Sequence, residues 1–263
     1  MTTRTYIVTG SASGIGAATA QLLKERGNTV IGVDLRNAEV EADLSTPEGR
    51  QAAADRAVEL AGGTVDAVIA CAGISAPVPL TVSVNFFGVT EFLNRLAPVL
   101  ARSEAPRAVV VSSMASLQPN SPELVEAMLA GDEPLARQIG QKLADQGPQI
   151  GYLNYPSSKR ALSRWVRRAS ISELYAGNGI PLNAVAPGTV LTAMTKELLA
   201  TPEGVQMVDE NVPMPLNGHS EPVVIARILA WLASEENSHL AGQTIYCDGG
   251  ADASLRGDDI WQS

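Results

Sequence analysis

The chain has 263 residues, 45% of them hydrophobic and 18% charged, so it carries enough apolar material for a large core and no low-complexity stretch that would signal disorder. A formal net charge of −9 repels nucleic acid and anionic membranes, and neither is expected as a partner. The opening residues run into a strand with no charged flank, long apolar run or cleavage site, which predicts a cytoplasmic protein, and the length suits a single α/β domain over 1–263.

A first apolar strand over 6–8 is followed by Thr-Gly-Ser-Ala-Ser-Gly-Ile-Gly at 9–16 and then by a helix over 17–26. Gly10 permits a tight turn out of the strand, Gly14 lets backbone approach a phosphate, and Gly16 allows the helix to pack closely on the sheet. The N–H groups at the helix start then face a pyrophosphate, which the positive end of the helix dipole favours. A second strand over 29–33 leads to Asp34, 18 residues past Gly16, where a carboxylate can accept both ribose hydroxyls of an adenosine and repels a 2′-phosphate. The segment after Asp34 is too short for a crossover helix, so 40–42 is expected to be a short edge strand. A helix over 46–61 follows, with Ser45 as its cap and Pro47 in its first turn.

Residues 65–70 form a buried strand closed by Cys71-Ala72-Gly73, 82–100 has helical spacing, and 108–111 is a central strand ending in Ser112-Ser113. The strand–helix alternation then breaks. Residues 115–154 hold two helical pieces, 122–130 and 133–145, and form a helical insert ahead of a long helix from Tyr155 to about 175. A strand over 182–186 is broken by Pro187-Gly188; a looser segment over 189–219, a helix over 221–233 and a last strand over 244–247 complete the chain. The pattern predicts one doubly wound, Rossmann-type parallel sheet covered on both faces, with ligands at the carboxyl ends of its strands. Cys71 and Cys247 read as buried free thiols, His219 and His239 as loop residues, and no metal is expected.

Tyr155 and Lys159, four apart at a helix start, share one face. Oxidising an alcohol requires a base for the hydroxyl proton, and a free Tyr, with a pKa of about 10, is too protonated for that at neutral pH. An ammonium at about 4 Å contributes on the order of 4 kcal/mol at an effective dielectric of about 20, enough to lower a phenol by up to about three pKa units; desolvation opposes part of that. Ser113, at a strand end, is placed to hydrogen-bond the substrate oxygen.

Together with the Gly-rich turn and Asn85 in Val-Asn-Phe-Phe-Gly, these residues resemble the short-chain dehydrogenase/reductase family over essentially the whole chain. The resemblance implies a catalytic set of Asn85, Ser113, Tyr155 and Lys159, with Lys159 also holding the nicotinamide ribose and Asn85 positioning a water in a proton relay. It implies a cofactor site formed by Gly10, Ser13, Gly14, Ile15, Gly16, Asp34, Asp43, Leu44, Cys71, Ala72, Gly73, Tyr155, Lys159, Pro187, Gly188, Val190 and Thr192. Asp34 and the non-basic Ser13 favour NAD; Arg36 is the dissenting feature.

The chain departs from the family pattern where Cys71 stands in place of a common Asn, and where 42 residues separate Ser113 from Tyr155, a gap that the insert explains. The insert, the missing helix after Asp34 and Asn-Ala-Glu-Val-Glu-Ala-Asp-Leu-Ser-Thr-Pro-Glu-Gly-Arg at 37–50 resemble the bacterial 3α-hydroxysteroid dehydrogenase/carbonyl reductase subgroup. That implies a bulky apolar secondary alcohol or ketone as substrate, with Met114, Leu117, Leu153, Met194, Leu198 and Met207 as pocket candidates, and a homo-oligomer in which the insert blocks one interface and leaves a dimer. Two other readings stay open: a dehydrogenase of aromatic, terpene or sugar alcohols, and an NAD-binding sensor without turnover.

Overall fold

A computed structural model describes residues 3–261. Seven strands, all paired in parallel, form one sheet in the order β3-β2-β1-β4-β5-β6-β7. They are β1 (Thr5–Thr9), β2 (Thr29–Asp34), β3 (Val40–Glu41), β4 (Ala67–Ala70), β5 (Arg107–Val111), β6 (Leu182–Pro187) and β7 (Thr244–Cys247). Alternation along the strands feeds two cores. Tyr6 and Val8 face α1 (Gly14–Glu25) and α11 (Pro222–Leu232), burying Leu23, Ile225 and Leu229. Ile7 and Val33 face the opposite layer, built from α2 (Pro47–Leu60), α4 (Gly88–Leu100) and α8 (Asn154–Ala169), with Phe92, Leu93 and Leu162 at its centre. The parallel sheet covered on both faces is the expected fold class, and its strand order reverses between β1 and β4, where a ligand crevice is due. No helix among the described residues is long and apolar enough to cross a membrane.

The structure differs from the sequence reading at four places. Thr46, not Ser45, caps α2, its hydroxyl accepting from Gly49 N at 3.0 Å, because the helix begins at Pro47 and Thr46 is the residue directly before it. The helix expected over 82–100 is broken into α3 (Leu80–Val82), a wider π turn over Ser83–Phe87 in which Gly88 N reaches back five residues to Ser83 O, and α4. The helix bearing Tyr155 ends at Ala169 rather than near 175. There, Ser170 and Ser172 turn their hydroxyls back onto the carbonyls of Arg167 and Ala169, a local alternative to further helix. Finally, the loose segment over 189–219 contains α9 (Ala193–Lys196) and α10 (Pro202–Asn211).

Between β5 and α8 lie a 3-10 turn (Met114–Leu117), α5 (Pro122–Leu129), α6 (Glu133–Ala144) and α7 (Pro148–Gly151). Leu124, Val125, Met128, Ala136 and Ile139 are buried in the same core as α4 and α8. Ser157 Oγ accepts from Ser121 N at 2.9 Å, and the Asn154 amide donates to Gly140 O at 3.1 Å and Gly151 O at 2.9 Å. This segment therefore grips the first turn of α8, where Tyr155 stands, one turn ahead of Lys159.

Candidate active site

The carboxyl ends of β1, β2, β4, β5 and β6 open into one cleft of about 520 Å³. Every residue expected to contact a cofactor lines it, and so do Ser113, Tyr155 and Lys159; Asn85 alone lies behind its wall.

The turn over 10–16 has the geometry of a phosphate cradle. Gly10 has φ +67°, and a Cβ there would stand 2.8 Å from Ala72 N; a Cβ on Gly16 would stand 2.1 Å from Gly10 O. No other side chain fits these two positions. The start of α1, like those of α8 and α11, has no side-chain cap. Thr46, Ser121, Asp132 and Thr201 cap α2, α5, α6 and α10 with their side chains, whereas Ser13 makes no such bond and the first turn of α1 has no acidic residue. Its N–H groups are left for an external anion, so the residues present fit a dinucleotide pyrophosphate.

Asp34 is fixed at the end of β2, its Oδ2 accepting from Ala12 N at 3.0 Å and its Oδ1 from Leu35 N at 2.6 Å. The carboxylate therefore ties the Gly-rich turn to the second strand and faces the cleft. Arg36 is exposed. At the far side, Thr195 Oγ1 accepts from Thr192 N at 3.1 Å and donates to Val190 O at 2.6 Å, fixing the chain after Pro187-Gly188. Gly188 lies close to the chain after β7, where a Cβ would stand 3.0 Å from Asp248 Cα.

Lys159 is buried and its Nζ donates to Val111 O at 2.9 Å, 5.9 Å from the centre of the Tyr155 ring. Burial lowers the ammonium to about 8. The Tyr155 phenol moves up, not down as the sequence predicted: burial dominates and its hydrogen bond with Ser113 offsets only part of the shift. Ser113 Oγ accepts from Ala115 N at 3.1 Å, which orients its hydroxyl beside Tyr155. Cys71, desolvated, has its thiol pushed up to about 12 and stays protonated.

Asn85 is wholly buried in the π turn. Its Oδ1 accepts from Ile74 N at 2.8 Å, and its Nδ2 donates to Ile74 O at 2.9 Å and Ser158 Oγ at 3.1 Å, while Ser158 in turn donates to Tyr155 O at 2.7 Å. Asn85 thus clamps the loop after β4 to the catalytic helix. Both amide groups are engaged by protein.

Residues 4–125 match the family model described as short chain dehydrogenase, and residues 144–252 the model described as enoyl-(acyl carrier protein) reductase. The chain is 38% identical over 256 residues, 95% of its length and 97% of the relative's, to the 3-alpha-hydroxysteroid dehydrogenase/carbonyl reductase of Comamonas testosteroni. The chain belongs to the short-chain dehydrogenase/reductase family. It is an oxidoreductase. A solved structure of the 3-alpha-hydroxysteroid dehydrogenase from Pseudomonas sp. B-0831, complexed with NADH, superposes with a TM-score of 0.88 at 40% identity, covering 97% of this chain and all of that one. The coniferyl-alcohol dehydrogenase of a Pseudomonas species is 29% identical over 95% of this chain and 97% of its own.

In this short-chain dehydrogenase/reductase the lining of the cleft includes the apolar side chains of Ile74, Leu80, Val84 and Met194. Of the six pocket candidates only Met194 lines the cleft. Met114 is buried core, Leu117 and Leu153 are half-buried outside it, and Leu198 and Met207 are exposed. Ile74, Leu80 and Val84 went unpredicted, although their signal is plain: they are the apolar residues that follow Gly73 off the end of β4.

Proposed function

We propose that the protein interconverts bulky apolar secondary alcohols, such as 3α-hydroxysteroids, and their ketones with NAD(H). The observation that carries this reading is the convergence of Tyr155, Ser113 and Lys159 in the same cleft as Asp34 and the apolar side chains of Ile74, Leu80, Val84 and Met194. NAD, when bound, supplies the hydride acceptor. Ser113 donates a hydrogen bond to the substrate oxygen and steadies the charge that develops there. Tyr155 takes the hydroxyl proton during oxidation and returns it during reduction. A phenol raised by burial is protonated at neutral pH, the form that reduction needs, so reduction is favoured near neutrality and oxidation as pH rises. Asp34 presents a negative charge where NADP would carry its 2′-phosphate, and supports NAD over NADP.

The test is absorbance at 340 nm with NAD or NADP and a panel of hydroxysteroids, cyclic alcohols and aromatic alcohols. Turnover of a 3α-hydroxysteroid with NAD, abolished in Tyr155→Phe, supports the reading. Turnover of aromatic alcohols alone discards the steroid class, and faster turnover with NADP discards the role of Asp34. The chain is further proposed to form a homodimer, and light scattering that shows a tetramer overturns this.

A further inference from the structure

Arg50, in α2, has no exposed surface, and its guanidinium joins four parts of the chain. Nε donates to Leu44 O at 2.9 Å, and Nη2 donates to Ser45 O at 3.0 Å and Ser83 O at 3.4 Å. A fork of two bonds, 2.7 and 2.8 Å, binds Glu133 at the first position of α6, and Nη1 also meets Glu91 of α4 at 3.0 Å. The cation lies 5.9 Å from the centre of the Phe87 ring. Burial alone would lower the guanidinium, but its bonds to Glu133 and Glu91 outweigh that and keep it charged.

A buried ion pair is poor value for stability, since apolar side chains of similar volume pack as well. An apolar side chain cannot, however, hold carbonyls from separate elements in one plane, as a guanidinium does. The carbonyls held here have specific positions. Leu44 and Ser45 line the Asp34 end of the cleft, and Ser83 opens the π turn that carries Asn85. Gly88, one turn on, packs so closely on this loop that a Cβ would stand 2.9 Å from Leu44 O. The loop over 43–45 is thus pressed between α4 and Arg50.

We propose that Arg50 is a positioning residue that fixes the adenine end of the cofactor cleft, and that Glu133, from the 115–154 segment, is the counter-ion that keeps it in place. The segment beside the catalytic helix thereby sets cofactor affinity from the opposite end of the cleft. This rests on the reading of the cleft as a dinucleotide site. The two shorter carbonyl bonds go to the 43–45 loop and the longest to the π turn, so cofactor binding carries the effect and kcat is largely spared.

NADH binding, followed by its fluorescence in wild type, Arg50→Met, Arg50→Lys and Glu133→Gln, tests the assignment without turnover. Arg50→Met is expected to raise the Kd for NADH tenfold or more, with kcat at saturating cofactor within threefold of wild type. Arg50→Lys recovers little of the loss, because an ammonium lacks the planar fork, and Glu133→Gln raises Kd about threefold. ADP-ribose, in competition, should weaken by the same factors. Leu100→Ala, a core change at the end of α4 away from the cleft, should lower Tm and leave Kd unchanged. Wild-type Kd in both Arg50→Met and Glu133→Gln, or an equal rise in Leu100→Ala, overturns the proposal. Should Arg50→Met not fold, Glu133→Gln decides it alone. A wild-type protein that binds no NADH overturns the cofactor reading and this inference together.

Discussion

Two segments interrupt the strand–helix alternation, 115–154 and 189–219, and they end in opposite physical states. The first sends Leu124, Val125, Met128, Ala136 and Ile139 into the core and is tied down by Glu133, Asn154 and Ser157. The second carries apolar side chains of the same kind, but α9 and α10 have no buried residue, and Met194, Leu198 and Met207 are about half exposed. The same amino acids therefore do different work. In one segment they hold α8 in place, and in the other they stay exposed, with Met194 alone among the three reaching the cleft.

The largest effect should come from the braced side. Tyr155→Phe removes the proton carrier without disturbing the cleft, so kcat should fall at least 10² to 10⁴-fold while NADH affinity stays within about twofold. Equal losses of both would show the phenol to be part of the scaffold.

Stability should divide the two segments next. Leu124→Ala, fully buried, is expected to cost about 2–5 kcal/mol in denaturant unfolding. Met194→Ala, half exposed and lining the cleft, should cost less than about 0.5 kcal/mol and instead raise KM for the bulkiest substrates. Comparable destabilisation by the two would erase the contrast.

Lys159 sharpens it in a different way, because the braced side includes a charge that the fold tolerates rather than needs. Its folded value of about 8 lies below the ordinary value of 10.5. Between these pH values the unfolded chain holds the extra proton, so stability rises with pH through that window, and below about 8 the charged form costs the fold about 3 kcal/mol. Lys159→Met forfeits the bond to Val111 O, about 1 kcal/mol, yet should melt higher than wild type at pH 7, with the gap closing towards pH 10. A variant that melts lower at pH 7 would mean the ammonium is stabilised by groups other than Val111.

The smallest effect should be on the loose side. His219 Nε2 and Asp209 Oδ1, 2.8 Å apart, pin the end of α10 to the following loop. His219→Ala should leave Tm within about 1 °C and change KM by no more than about threefold.

How much of this could be read from the letters depended on the range of the interaction. The strands, the Gly-rich turn and the Tyr155–Lys159 pair are local patterns, and Gly10, Ser13, Gly14, Ile15, Gly16, Asp34, Ser113, Tyr155 and Lys159 do meet in one cleft. Thr-Pro-Glu-Gly starts both α2 and α10, but only the first copy is followed by a helical run of alanines, and the second helix was missed. Arg50 was legible in principle: with Ala53, Ala54 and Ala57 it falls on one face of α2, and an arginine among alanines on a buried face is anomalous. Its partner Glu133, 83 residues away, was not. The direction of the Tyr155 shift also escaped, because spacing in the chain does not disclose how deeply the phenol is buried.

The π turn over Ser83–Phe87 makes the length of this chain unforgiving at one point. A π turn accommodates one residue more than the regular helix around it. Deleting a single residue there would give a better-bonded helix and rotate Asn85 by about 100°, out of reach of Ile74 and Ser158. A gap of one position, which in a regular helix only disrupts, would here improve the helical bonding and undo the Asn85 clamp.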